Sequence, residues 1–425
     1  MGESLMADPA EPEFSFDPTD PGFRRNPYPV YATLRDQHPV LAGPLNSWVV
    51  SRYEDVEALL RDRRLGKDLG GTQFFAQVAG GGPDEEPPPF LGLGLDGWDA
   101  NLFRLLDPPD HTKLRNLVAA PFTPSAVEAL IKSVTTVVDE LLADLPERFD
   151  VMEVLASQLP VRVLGDMMGI DREDQKLLAA WSTEIAHILE LGAAPSEDVA
   201  VACQRAVAQC TEYFVKVLRE REGGDGTDLI TELTRAGETI EGLTIHQIAA
   251  VCVLLIVPGL DTFANLIGNA AVMLAEHPDV LERLAADPSL ADDVLDEVLR
   301  LEPPTHASWR VVNEPITLHG QTMERGAVVL LMLAAANRDE RAFDNPDTLA
   351  LGKHGRKHLS FGRGIHYCLG DNLSRLMAKE ALIGLAARCA SIKPDDDEVA
   401  LKPGLWLRGP ARLPVTTTPR VGSSR

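Results

Sequence analysis

The chain is short of positive charge. Lysine and arginine total 40 against 64 acidic residues, a formal net charge of -24. That balance excludes an electrostatic footprint for nucleic acid or an anionic lipid surface. Cysteine is scarce too: there are five, an odd number without paired spacing. This excludes a disulfide framework and suits a reducing cytoplasm. Cys203, Cys210, Cys252 and Cys389 lie in apolar helical contexts and read as packing residues. The longest apolar run, Ile248 to Leu260, is too short to cross a bilayer as a helix and reads as buried instead. The opening MGESLMADPAEPEFSFDP has no apolar core and no Ser or Thr at position 6. Neither a secretion signal nor a myristoylation site is expected, and no membrane anchor. No linker or low-complexity tract divides the 425 residues. One large domain is expected over residues 26–418, with flexible ends at 1–25 and 419–425.

What is present centres on Leu359–Arg375, LSFGRGIHYCLGDNLSR. Gly362 and Gly364 are spaced for a tight turn that brings backbone close to something bulky. Cys368 stands just ahead of an apolar-periodic run (Leu369, Leu373, Leu376, Met377), hence near a helix N-terminus. Unpaired N–H groups and the positive dipole end there favour a thiolate, a soft ligand suited to iron. A phosphate loop does not fit, because no strand-like run leads in and no Lys-Ser/Thr follows. From Cys368 alone, a buried cysteine after a Gly-rich loop is the plain alternative. Six residues together say more: Phe361, Gly362, Gly364, His366, Cys368 and Gly370 fill every fixed place of Phe-Gly-x-Gly-x-His-x-Cys-x-Gly. The stretch resembles the heme-ligand signature of the cytochrome P-450 family. The resemblance implies a mainly α fold with small β-sheets in a single triangular domain. It also implies heme b (iron protoporphyrin IX) held by Phe361, Gly362, His366 and Gly370, with Cys368 as the iron ligand. An axial cysteine pushes electron density toward O–O cleavage.

Other motifs follow in the family's order, from about Pro27 to Val415. A short helix is expected from Pro27 to Gln37, a hairpin around Gly43-Pro44, and helix again from Tyr53. Residues 66–105 read as a long functional loop whose Phe90 and Trp98 are pocket candidates. In LDPPDHTKLR, Asp110 can cap a helix beginning near His111, and His111 and Arg115 share a face. Such a pair is ordinarily surface polarity; the resemblance implies that both hold a heme propionate. Helical periodicity then dominates from Pro124, with Leu177–Glu190 and Val199–Glu222 resembling the helices that roof the family's substrate pocket.

The apolar run Ile248–Ala271 is interrupted by VPGLDTFAN. Pro258 removes a helical N–H, so a kink is expected, and the Thr262 hydroxyl can reach the Pro258 carbonyl. A plain Asp-Thr pair at a helix break is the alternative. The resemblance implies an acid–alcohol pair, Asp261 and Thr262, that relays protons to the distal side of the iron. The family usually has Ala or Gly at Pro258 and a small hydroxyl residue at Phe263. Both become pocket candidates. Glu297 and Arg300 match the family's Glu-x-x-Arg, a structural pair that locks the cysteine loop to the core. In PPTHASWRVV, Arg310 is expected on a propionate and His306, Ala307 and Ser308 at the pocket. The family's aromatic-Asp-x-x-Arg is replaced here by Leu349-Ala350-Leu351-Gly352. LWLRGPARLPV reads as a terminal hairpin with Trp406 and Leu407 at the pocket.

Lys353, Arg356, Lys357 and Arg363 cluster beside the cysteine loop with no acid from Lys353 to Gly364. His354, His358, Lys113 and Lys379 extend the cluster. It is expected to dock an acidic ferredoxin. Electrons from NAD(P)H would come through ferredoxin and ferredoxin reductase, since the chain has no flavin or nicotinamide fingerprint of its own. The expected activity is a cytoplasmic heme-thiolate monooxygenase that inserts one atom of O2 into a C–H or C=C bond. Its substrate would be a mid-sized, largely apolar small molecule. Arginine outnumbers lysine about three to one, hinting at a GC-rich bacterial genome and secondary metabolism. Three rivals stay open: oxidative coupling or peroxide use on the same fold, a non-catalytic heme sensor, and a Cys368 hydrolase without heme.

Overall fold

A computed structural model of the chain describes residues 14–420 apart from 15, 45, 69–71, 73–102, 187–196, 241, 353–354 and 397–398. Phe90, Trp98, Lys353 and His354 therefore lie outside the described residues, as does most of the expected long loop. The fold is mainly helical with small sheets, as expected.

The organising element is one helix, Ile245–Glu276, apolar nearly all round and largely buried. A helix with no polar face has to sit inside the protein. By length and composition it could cross a membrane, but here it is core. It begins earlier than its apolar run. Thr244 accepts from the Gln247 backbone N–H at 3.2 Å, and the Gln247 side chain accepts from the Thr244 N–H at 2.9 Å. This reciprocal cap satisfies two of the donors a helix start leaves free. The helix continues through Pro258 and ends at His277, ahead of Pro278. Helices Gln158–Met168, Gln175–Ala186 and Glu197–Glu220 pack on one side, and helix Asp371–Arg388 on another.

The strands are β1 Val40–Ala42, β2 Ser47–Val50, β3 Leu65–Gly66, β4 Arg148–Asp150, β5 Ser308–Val312, β6 Ile316–Leu318, β7 Gln321–Met323, β8 Val328–Leu331, β9 Cys389–Pro394 and β10 Pro414–Pro419. The larger sheet has the order β1-β2-β8-β5-β3, antiparallel except for the parallel pair β2–β8. It backs a second, smaller core cluster with Tyr53, Val56 and Phe343.

Two boundaries differ from expectation. The stretch read as loose before residue 26 carries a helix, Pro21–Arg25, capped by Asp20. Its Phe23 is buried against Tyr31 and Phe16, so aromatic burial fixes this end. At the other end β10 reaches Pro419, and the Arg420 Nε donates to the Ala386 carbonyl at 3.0 Å.

Candidate active site

The central helix and the cysteine loop face each other across a cavity of about 340 Å³. Its wall includes Leu254, Pro258, Thr262 and Phe263 from the helix, and Phe361, Gly362, His366, Cys368 and Gly370 from the loop. Ala307, Ser308, Trp406 and Leu407 complete it, so six of the pocket candidates are brought together. His306 is the exception. It is buried behind the wall, its Nδ1 at 3.0 Å from the Tyr31 hydroxyl, and does not line the cavity. Thr305 and Ala307 on either side of it line the cavity, while the His306 ring packs against Tyr28 and Tyr31 of helix Tyr28–Gln37.

Backbone hydrogen bonds close the loop on itself, and side chains tie it to the rest of the molecule. The Gly362 N–H donates to Leu359 O at 2.7 Å and the Cys368 N–H to Phe361 O at 3.0 Å. Gly362 and Gly364 sit at φ +71° and +75°, a region that side chains with a Cβ avoid. At Gly364 a Cβ would also come within 2.7 Å of Leu60 O. Asn337 ties the loop to the core, accepting from the Leu359 N–H at 2.7 Å and donating to Ser360 Oγ at 2.8 Å. Sequence reasoning assigned this tie to Glu297 and Arg300. That buried pair is bidentate, at 2.7 and 2.8 Å, and it stands behind the tie, because the Arg300 guanidinium also donates to Asn337 O at 3.4 Å. Arg300 donates to Pro346 O and Thr348 O, and Glu297 accepts from the Ala350 N–H at 2.8 Å. A backbone N–H at Ala350 thus contacts the pair in a stretch where the family's aromatic-Asp-x-x-Arg is missing.

Cys368 lies three residues before helix Asp371–Arg388. Burial pushes its thiol up to about 11, against the pull of the Gly370 N–H. Desolvation opposes the thiolate, and the Gly370 N–H favours it. A cation at the sulfur reverses that balance, because a coordinating thiol is deprotonated outright.

One end of the cavity is crowded with positive charge. Lys67, Arg104, Arg115 and Arg310 all line it. Burial lowers all four: Arg104 and Arg310 to about 10, Lys67 well below the usual lysine range, and Arg115 more modestly. Lys67 Nζ stands 4.0 Å from the Trp309 ring centroid, and Arg115 donates to Tyr367 O at 2.6 Å. Asp107 is the nearby carboxylate among the described residues. It accepts from the Lys67 N–H at 3.0 Å and lies 3.9 Å from His366 Nε2. Burial pushes His366 down to about 4. Neither ring nitrogen of buried His111 has a hydrogen-bond partner, nor does His366 Nε2, and the two rings are 4.4 Å apart. Buried cations and orphaned donors are costly unless an anion meets them. A group with two carboxylates and a metal in need of a thiolate, such as heme, fits this donor set. Lys67 and Arg104 were missed by motif reasoning. Their only sequence signal was a basic residue near each end of the long loop.

The distal wall divides the acid from the alcohol. The Thr262 hydroxyl donates to Pro258 O at 2.6 Å and lines the cavity. Asp261 does not. Its carboxylate meets the Lys402 ammonium and accepts from Asn265 Nδ2 at 3.4 Å. Phe263 leans toward the cysteine loop, where a Cβ on Gly370 would come within 3.3 Å of its ring.

Comparison with known proteins agrees. A family model described as Cytochrome P450 matches residues 196–404. Vitamin D(3) 25-hydroxylase of Pseudonocardia autotrophica is 34% identical over 94% of this chain and 95% of its own. Polyketide biosynthesis cytochrome P450 PksS of Bacillus subtilis is 29% identical, over 94% of this chain and 98% of its own. Among solved structures, CalO2 superposes with TM-score 0.85 at 31% identity, covering 95% of this chain and 99% of CalO2. With near full-length relatives at this identity and a cysteine loop facing Thr262 across one cavity, the chain belongs to the cytochrome P450 family and is a heme-thiolate monooxygenase of bacterial type.

Proposed function

We propose that this enzyme inserts one atom of O2 into a C–H or C=C bond of a mid-sized, largely apolar small molecule in bacterial secondary metabolism. One observation carries the reading. Thr262 of the central helix and Cys368 of the loop line a single cavity, whose remaining lining is mostly apolar. When bound, heme supplies the oxygen-activating redox chemistry and the protein orients what enters. Cys368 would hold the iron, with Phe361, Gly362 and Gly370 cradling the ring. His111, Arg115, Arg310 and His366 would neutralise the propionates, joined by Lys67 and Arg104. Leu254, Ala307, Trp406 and Leu407 would exclude water from the distal side. The Thr262 hydroxyl, held by Pro258 O, would pass a proton received from Asp261.

Electrons would arrive from NAD(P)H through a reductase and an acidic ferredoxin in the cytoplasm. The docking patch is more interleaved than its sequence suggests. Arg356 pairs with Glu54 at 3.0 Å, Arg363 with Glu57 at 3.6 Å and Lys379 with Asp292 at 2.6 Å. His358 is buried against Arg375. Among the described residues of the patch, exposed Lys113 and Lys357 are the main positive contacts.

The test is in two stages. A compound panel is screened for conversion of the heme from low to high spin. The best binder is then turned over under isotope-labelled dioxygen with a surrogate ferredoxin system. One labelled atom in the product supports oxygen insertion; an unlabelled, coupled or dehydrogenated product overturns it.

A further inference from the structure

Asp261 and Thr262 are consecutive on one helix, so their side chains leave it about 100° apart. Thr262 faces the cavity. Asp261 faces a hairpin formed by the last part of the chain before β10. In that hairpin the Lys402 N–H donates to Gly409 O at 2.9 Å and the Ala411 N–H to Ala400 O at 2.7 Å. Leu401 and Pro410 pair across it. The stem lies flat on the central helix. A Cβ on Gly409 would stand 2.6 Å from the Asn265 side chain, and one on Gly268 would stand 3.0 Å from Pro410. The Asn269 Nδ2 donates to Arg408 O at 3.3 Å. Lys402 is therefore not a loose surface lysine. Its backbone is paired to the strand of the hairpin that rests on the helix carrying Asp261, and the ammonium meets the carboxylate with both side chains mostly shielded, 28% and 19% exposed. The tip of the same hairpin supplies Trp406 and Leu407 to the cavity wall.

We propose that Lys402 is the positioning residue of the proton relay: it holds the Asp261 carboxylate on the outer side of the helix, away from Thr262, until the pair opens. This rests on the reading of Asp261 and Thr262 as the relay. A carboxylate bound to Lys402 cannot reach the cavity without turning about its own side-chain bonds. Once released, Asp261 takes a proton from bulk water and hands it on through Thr262 Oγ. Lys402 gives up no proton and remains an ammonium ion. A mostly shielded but not sealed ion pair suits the task, because pairs of this kind are weak enough to open during turnover.

The experiment uses the heme-loaded enzyme with a surrogate ferredoxin, its reductase and NADH, without added substrate. Lys402→Met keeps the aliphatic stem and removes the charge. Its expected signature is a several-fold rise in NADH oxidation and in hydrogen peroxide released, with a smaller solvent deuterium isotope effect. The band of the reduced carbon monoxide complex should stay unchanged, and Lys402→Arg should behave as the parent. In an Asp261→Asn background the Lys402→Met effect should vanish. If Lys402→Met matches the parent while Asp261→Asn slows turnover, the relay stands and the restraint is overturned. If the effect persists in the Asp261→Asn background, Lys402 acts elsewhere and the proposal is equally overturned. If Asp261→Asn itself changes nothing, the underlying relay reading falls.

Discussion

The two walls of the cavity are built by different means. The proximal wall is over-determined. Backbone hydrogen bonds close the cysteine loop, Asn337 ties it down, and left-handed glycines leave it one shape. The distal wall is a helix surface with exchangeable side chains, where Pro258 and Phe263 replace the family's small residues. The lesson is that one wall takes its shape from a backbone path and the facing wall from side chains on a fixed rod. A backbone-built feature leaves a strict motif, and a side-chain-built one leaves individual residues to be interpreted.

The contrast can be broken most severely at Cys368. Cys368→Ala should abolish the reduced carbon monoxide band that gives the family its name; a surviving band would remove the proximal wall from the argument. Next comes the frame behind it. Glu297→Ala strands the Arg300 guanidinium, which is 1% exposed, and breaking a buried pair costs about 3–5 kcal/mol. Thermal denaturation should show the loss, with little heme retained. Thr262→Ala tests the distal side: product per NADH should fall on the order of 10²-fold while hydrogen peroxide rises and the carbon monoxide band persists. Lys67→Ala sharpens the cofactor end, with heme passing to an acceptor apoprotein several-fold faster than from the parent. The smallest effect belongs to the surface. Lys113→Glu with Lys357→Glu should slow ferredoxin-driven reduction several-fold at low salt, with the heme spectrum unchanged.

Legibility followed the same divide. The loop from Phe361 to Gly370 was readable because six residues at set offsets specify a backbone path. The central helix was readable from its apolar run, though its start was placed late. Thr244-x-x-Gln247 marks that start by capping chemistry, three residues outside the hydrophobic signal. The cationic end was half readable. His111, Arg115, Arg310 and His366 sit in motifs, whereas Lys67 and Arg104 stand at opposite ends of a long segment and meet only on folding. The Asp261–Lys402 contact spans 141 positions, and no local pattern announces it. His306 misled because a motif position places a residue along the chain without saying which way its side chain turns. The basic cluster near the loop looked unopposed in sequence because its partners, Glu54, Glu57 and Asp292, are distant in the chain.

The hairpin that carries Trp406 and Leu407 is also fastened at its far edge. The Arg408 guanidinium donates to the carbonyls of Arg24 and Arg25, at 2.6 and 2.8 Å, where the first described helix ends. Helix Pro21–Arg25 therefore buttresses this wall of the cavity from outside. Cutting into residues 21–25 would loosen a cavity wall some 380 positions further along the chain.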